Sequence, residues 1–202
     1  MPPNKLAHTS VPIHELIARR WSPRAFARDR PVAPEDLIAV VEAARWAASS
    51  NNEQPWRFVW TDRFRDESIW SMALACLAEK NQRWARNAPV LGFAVARDHF
   101  IRNGTANRWA QYDCGAASAY LCLQATALGL ITHQMGGFDP AKVIEAFGIP
   151  SGFTVMAAIA LGYQAEIQTL GAEFQDSEAA PRTRRALKEM FFLGAWDKPL
   201  VP

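Results

Sequence analysis

A chain of 202 residues, half of them apolar and about a fifth charged, has length enough for one large domain with an ample core. Its formal net charge of +2 leaves no excess to draw the whole molecule onto nucleic acid or an anionic membrane, so any anion site must be local. Cys76, Cys114 and Cys122 are odd in number and lack metal-ligand spacing, and no signal-peptide apolar segment follows Met1; buried thiols and a cytoplasmic location are expected.

Residues 13–20 predict a short helix with Ile13, Leu16 and Ile17 on one face, ending in Arg20, Trp21, Ser22, Pro23 and Arg24. Arg19, Arg20 and Arg24 around a serine suit a phosphate, although a solvated basic turn is the commoner use of such a cluster. Residues 34–48 carry Pro34 at the start, Glu35 and Asp36 in the first turn, and Leu37, Val40, Val41 and Ala44 at helical spacing. This helix delivers the chain to Ser49, Ser50, Asn51, Asn52, Glu53 and Gln54, six hydrogen-bonding side chains in a row. They read either as a surface for a polar, planar ligand or as a capped helix end. Pro55 biases Gln54 toward an extended backbone.

A strand over 56–61 and a single helix over about 65–82 follow, then a buried strand over 89–96. Residues 98–107 predict an exposed, mobile loop. A long helix over about 105–128 is closed by Gly129. Residues 114–138 carry no formal charge, the length of a candidate membrane span. Ser118, Gln124, Thr126, Thr132, His133 and Gln134, with the break at Gly129, argue instead for a central helix covered by neighbouring elements or a second subunit. Residues 131–135 form a short extended piece ending in Gly136 and Gly137, where a ligand could approach the backbone closely or the chain could simply turn. Asp139 and Pro140 start a helix through Phe147, and 153–162 predict a strand with Val155, Ala157, Ile159 and Leu161 on one face. Residues 164–180 are polar with little pattern. Arg182, Arg184 and Arg185 come next, and the tail 190–202 carries Phe191, Phe192, Leu193, Trp196, Leu200 and Val201 with nothing local to receive them. Neither repeats nor a linker divide residues 1–202, which read as one domain.

Taken in order, these motifs resemble the FMN-dependent nitroreductase family across nearly the whole chain. The family's Arg-x-Ser-x-Arg is matched by Arg20, Ser22 and Arg24, and its Ser-x-x-Asn-x-Gln-Pro-Trp by Ser49, Asn52, Gln54, Pro55 and Trp56. A central helix opening at Asp113 to Ala117, a turn at Gly136, Gly137 and Phe138, and a late Arg182 and Arg184 complete the series. The resemblance implies an α+β fold: a central, mostly antiparallel or mixed sheet flanked by helices, with residues 190–202 exchanged between the two chains of a homodimer. It implies FMN, with Arg20, Ser22, Arg182 and Arg184 on the phosphate and Arg24 near the N1 and C2 carbonyl side of the ring. A fixed cation there favours the reduced flavin. Ser49, Ser50, Asn52 and Gln54 would meet the ring edge and ribityl chain, Asn81 is a further ring-edge contact, and Gly136, between Met135 and Gly137, would offer its N–H to flavin N5.

The implied reaction is ping-pong hydride transfer from NADH or NADPH to small electron-poor acceptors such as nitroaromatics or quinones. A flavin-storing or flavin-sensing protein with little turnover is the alternative, and flavin-destroying or dehalogenating chemistry occurs in some relatives of this fold. No metal, nucleic acid or membrane partner is implied. Three departures stand out: Ala48 replaces the usual Pro, Trp21 occupies a position often polar or basic and would narrow the pocket, and Gly136 stands where some relatives have Glu. His133 reads either as lining the site or as a core-edge histidine.

Overall fold

A computed structural model describes residues 5–201. Four strands, β1 (Trp56–Asp62), β2 (Val90–Arg97), β3 (Ile131–Met135) and β4 (Phe153–Gly162), form one sheet in the order β1-β2-β4-β3, and every pairing is antiparallel. The continuous apolar run of β2 places it at the centre, buried along seven of its eight residues, as a strand covered on both faces requires. Gly92 is needed there because a Cβ would lie 2.3 Å from the Trp60 ring on β1.

Among the described residues seven α-helices accompany the sheet: α1 (Glu15–Arg19), α2 (Pro34–Arg45), α3 (Glu67–Ala75), α4 (Glu79–Ala85), α5 (Ala110–Ala127), α6 (Pro140–Phe147) and α7 (Ala172–Ala179). One face packs against α2 and α5 through Val40, Ala44, Cys114, Ala117 and Leu121. The other packs against α3, α4, α6 and α7 through Trp70, Trp84, Val143 and Phe174. All three cysteines are buried and free, as expected. No helix among the described residues is long and apolar enough to cross a membrane.

Five expectations are corrected. The single helix over 65–82 is two helices, because at Cys76–Ala78 the chain leaves the helical path: Ala78 N–H donates to the Gly137 carbonyl and Leu77 bridges Phe138. The helix expected from 105 begins at Ala110. The preceding residues close a hairpin, with Asn107 N–H on the Asp98 carbonyl and Asn107 itself buried, so 98–107 is not wholly exposed. Gln54 is not extended but has φ +51°, because its N–H is held by Ser49 Oγ and its side-chain amide by the Asn52 carbonyl. Part of the patternless stretch forms α7, whose inner side holds Phe174 and Glu178. The tail makes a small hairpin of its own, with Leu193 and Leu200 N–H groups on the carbonyls of Lys198 and Phe191 and a Phe192–Trp196 ring contact of 5.0 Å.

The outer face of α5 presents Tyr112 and Tyr120, that of α2 presents Ile38 and Trp46, and the tail presents Phe191, Leu193, Trp196 and Leu200, all exposed.

Candidate functional site

Two ends of the chain meet beside β3. Arg20 caps α1, its N–H on the Leu16 carbonyl, and its guanidinium donates to Ser22 Oγ at 3.3 Å. His133 on β3 holds the next residue, with Nδ1 at 3.0 Å from the Pro23 carbonyl; a carbonyl only accepts, so Nδ1 carries the proton. Burial against Trp84, whose ring centroid is 4.6 Å away, drives the His133 pKa down to about 4, and the charges of Arg24 and Arg20 assist. His133 therefore braces the arginine turn from behind as a neutral ring.

From the far end of the chain, Arg182 donates to the carbonyls of Lys5 (2.8 Å) and Ala18 (2.7 Å). Its pKa is lowered by burial first and then by the nearby charges of Arg20 and Arg184. Lys5 is a further cation that sequence reading passed over. Its Nζ sits 4.4 Å from the centre of the Trp21 ring, and burial, together with Arg182 and Arg24 and against the opposing pull of Glu178, lowers its pKa. Two pockets adjoin this end. One of about 260 Å³ is lined by Lys5, His8 and Arg182; the other, of about 320 Å³, by Arg20, Trp21, Arg30 and Tyr163.

The glycine turn is fixed by α4. Asn81 Nδ2 and Ala78 N–H both donate to the Gly137 carbonyl at 2.9 Å. A Cβ on Gly137 would come within 2.6 Å of Asn81 Nδ2, whereas one on Gly136 would meet nothing within 4 Å. Gly136 thus faces open space on a turn braced behind it, and the Met135 side chain is buried in the core.

The Ser49–Gln54 stretch is a tight polar knot. Asn51, Asn52 and Gln54 have φ between +51° and +55°, a region L residues enter only when local hydrogen bonds hold them there. Ser49 Oγ accepts from Gln54 N–H at 3.0 Å, Asn51 Nδ2 donates to Ser50 Oγ at 3.2 Å, and Ser50 N–H donates to Asp113 Oδ2 at 3.0 Å. Asp113, 4% exposed in the first turn of α5, anchors the knot to the helix; the sequence motif includes it without revealing that task. Asn52 and Gln54 remain exposed.

The structure does not bring this knot to the arginines within one chain. The knot sits at the Asp113 end of α5, whereas Arg20 and Trp21 share a pocket with Thr126 and Gly129 at the other end. A rise of 1.5 Å per residue puts these ends roughly 20 Å apart. β1, which follows the knot, and β3, which leads to Gly136, are the two outer strands of the sheet, roughly 14 Å apart.

The sequence pattern of the nitroreductase family matches residues 17–163. A solved structure described as an oxidoreductase containing FMN superposes with a TM-score of 0.90 at 36% identity, covering 97% of this chain and 98% of that one. A nitroreductase-type protein of Desulfovibrio desulfuricans, solved in complex with FMN, has a TM-score of 0.71 at 25% identity over 93% of this chain and 99% of its own. The NADH dehydrogenase of Thermus thermophilus is 32% identical over 175 residues, 73% of this chain and 84% of that protein. The chain belongs to the nitroreductase family, and its all-antiparallel four-stranded sheet between two helical layers is that family's α+β fold.

Proposed function

We propose that this protein is an FMN-dependent oxidoreductase that takes reducing equivalents from NADH or NADPH and passes them to small electron-poor acceptors, nitroaromatics or quinones among them, in a ping-pong cycle. The observation that carries the reading is the meeting of Arg20 and Arg182 from opposite ends of the chain, Arg182 being tied to the Ala18 carbonyl two residues before Arg20 with the charge of Arg184 nearby, in a member of this family. FMN suits these residues: guanidinium groups beside the Ser22 hydroxyl fit a terminal phosphate, and Gly136 leaves room for a ring to approach the backbone.

When bound, FMN supplies hydride chemistry at N5. Arg20, Ser22, Arg182 and Arg184 would hold its phosphate, and Arg24 would supply positive charge beside the ring. The Gly136 N–H would be available to the ring of bound FMN, on a turn that Asn81 holds through the Gly137 carbonyl next to the buried Met135. Trp21, held beneath the Lys5 ammonium, narrows the entrance.

Ser49, Ser50, Asn52 and Gln54 serve the flavin of a second subunit. A two-fold axis across the α5 faces sets the polar knot of one chain against the arginine end of the other, which removes the separation of about 20 Å along α5. The exposed Tyr112 and Tyr120, Trp46 and the tail residues supply the apolar surface for that homodimer, with residues 190–202 reaching onto the partner.

The test is to purify the protein, identify any flavin released by heat, and follow its absorbance as NADH or NADPH is added without oxygen and a quinone afterwards. FMN that bleaches and recovers is the expected result. FAD, or no flavin binding on reconstitution, would overturn the reading; FMN that does not bleach would leave a flavin carrier or sensor. Arg184→Ala should weaken FMN binding by roughly ten- to hundredfold, and Arg24→Ala should lower the midpoint potential.

A further inference from the structure

Glu178 is a fully buried carboxylate on α7, a helix the sequence pattern does not reveal. One carboxylate oxygen, Oε1, accepts the backbone N–H of Arg24 at 2.8 Å and that of Ala25 at 3.2 Å. The other, Oε2, lies 3.9 Å from the Arg24 guanidinium and has no hydrogen-bond partner among the described residues. The Glu178 carbonyl in turn accepts from Lys5 Nζ at 2.6 Å. The cations beside Glu178 among the described residues are Arg24, at its carboxylate, and Lys5, at its carbonyl, and Arg182 acts on Lys5 in turn. A buried acid that spends one oxygen on two backbone amides and leaves the other beside a guanidinium does two separable things. It fixes the path of the arginine turn, and it sets a negative charge against Arg24.

We infer that Glu178 is a positioning residue of the cofactor site that holds the Ser22–Ala25 turn in place and offsets the Arg24 charge, so that it sets both flavin affinity and flavin potential. This rests on the functional reading above. Its two roles are separated by substitution. Glu178→Gln keeps an amide oxygen to accept the Arg24 and Ala25 N–H groups but removes the charge. Glu178→Ala removes both.

Wild type and both variants, reconstituted with FMN, are compared by fluorescence titration of oxidised FMN and by redox titration. For Glu178→Gln the Kd of oxidised FMN should stay within about threefold of wild type. Its reduced FMN should be favoured over oxidised by about tenfold more than in wild type, a rise of about 30 mV for a two-electron couple. In the Arg24→Ala background the same substitution should move the potential much less, since the charge it offsets is gone. Glu178→Ala should raise the Kd by tenfold or more. A Glu178→Gln potential equal to or below wild type overturns the inference, as do variants that lose only thermal stability while Kd and potential stay put. Failure of the wild type itself to bind FMN is a different result, which removes the functional reading and this inference together.

Discussion

The arginine end and the polar knot are built on opposite plans. At the arginine end the groups that brace the site come from within the chain and from far apart in sequence: His133 behind Pro23, Glu178 behind Arg24, Arg182 tied to Lys5 and Ala18. The knot is held mostly by its own neighbours, in a positive-φ backbone tied to the rest of the chain through Ser50–Asp113 and Glu53–Ile101, and it displays Asn52 and Gln54 outward. A region that gathers charge needs distant supports because like charges repel and must be fixed against that repulsion. A region that presents neutral amides can be shaped locally and shown to a partner.

The widest break in this comparison comes from removing the segment proposed to reach a partner. Ending the chain after Glu189 deletes the exposed Phe191, Leu193, Trp196 and Leu200, each worth on the order of 1.5–3 kcal/mol when buried. The truncated protein should be insoluble or unable to hold FMN, by sedimentation and absorbance; a truncated form that stays dimeric, yellow and equally heat-stable would leave the knot without its proposed counterpart. Acid should come next and act on the arginine end through His133. His133 takes up its proton near 6.5 in the unfolded chain but only near about 4 in the fold, so between those values the unfolded state binds more protons. Stability should therefore fall as pH drops through this window, by up to about 3 kcal/mol once below about 4, and be insensitive to this residue above 6.5. Urea titrations across that range should show the slope flattened in His133→Gln.

Cutting the knot from its anchor is a smaller change. Asp113→Ala leaves the Ser50 N–H unpaired and should cost about 1–3 kcal/mol by chemical denaturation, while Asp113→Asn, which keeps an acceptor, should cost less. The smallest effect should be one of opposite signs. Asn52→Gly relieves a positive-φ residue and should raise stability by about 0.5–1 kcal/mol, yet weaken FMN binding by removing an exposed amide. A variant that gains stability with unchanged affinity would show that the knot is only a turn.

The strands, α2 and α6, the Gly129 stop and the glycine turn were legible in the sequence because periodicity, Pro and acidic caps, and glycine act locally. The break between α3 and α4 carries neither Gly nor Pro; it exists because Ala78 turns aside to bind Gly137, a partner 59 residues away in the numbering. Gln54 defeats the usual bias of a residue before proline because a serine hydroxyl five residues earlier captures its N–H. Lys5 and Glu178 look like ordinary surface charges in a linear reading. Only the packing of α7 against the arginine turn gives them their tasks, and α7 shows little amphipathic pattern by which to find it. The spacing between the knot and the arginines was likewise invisible, since both belong to one family pattern while standing at opposite ends of α5.

The closure of the arginine end also bears on the order in which the molecule comes into being. Its ties join Arg182 to Lys5 and Ala18, and Glu178 to Arg24, spans of 177, 164 and 154 residues. Contacts of such separation form late, after the entropy of closing long loops has been met. A chain emerging from the ribosome therefore lays down the sheet and the helices that precede α7 while the Ser22–Ala25 turn is still unbraced. Under the proposed function, capture of flavin during synthesis would wait until α7 and Arg182 are free to dock, which would make colour itself a timer for the completion of the fold.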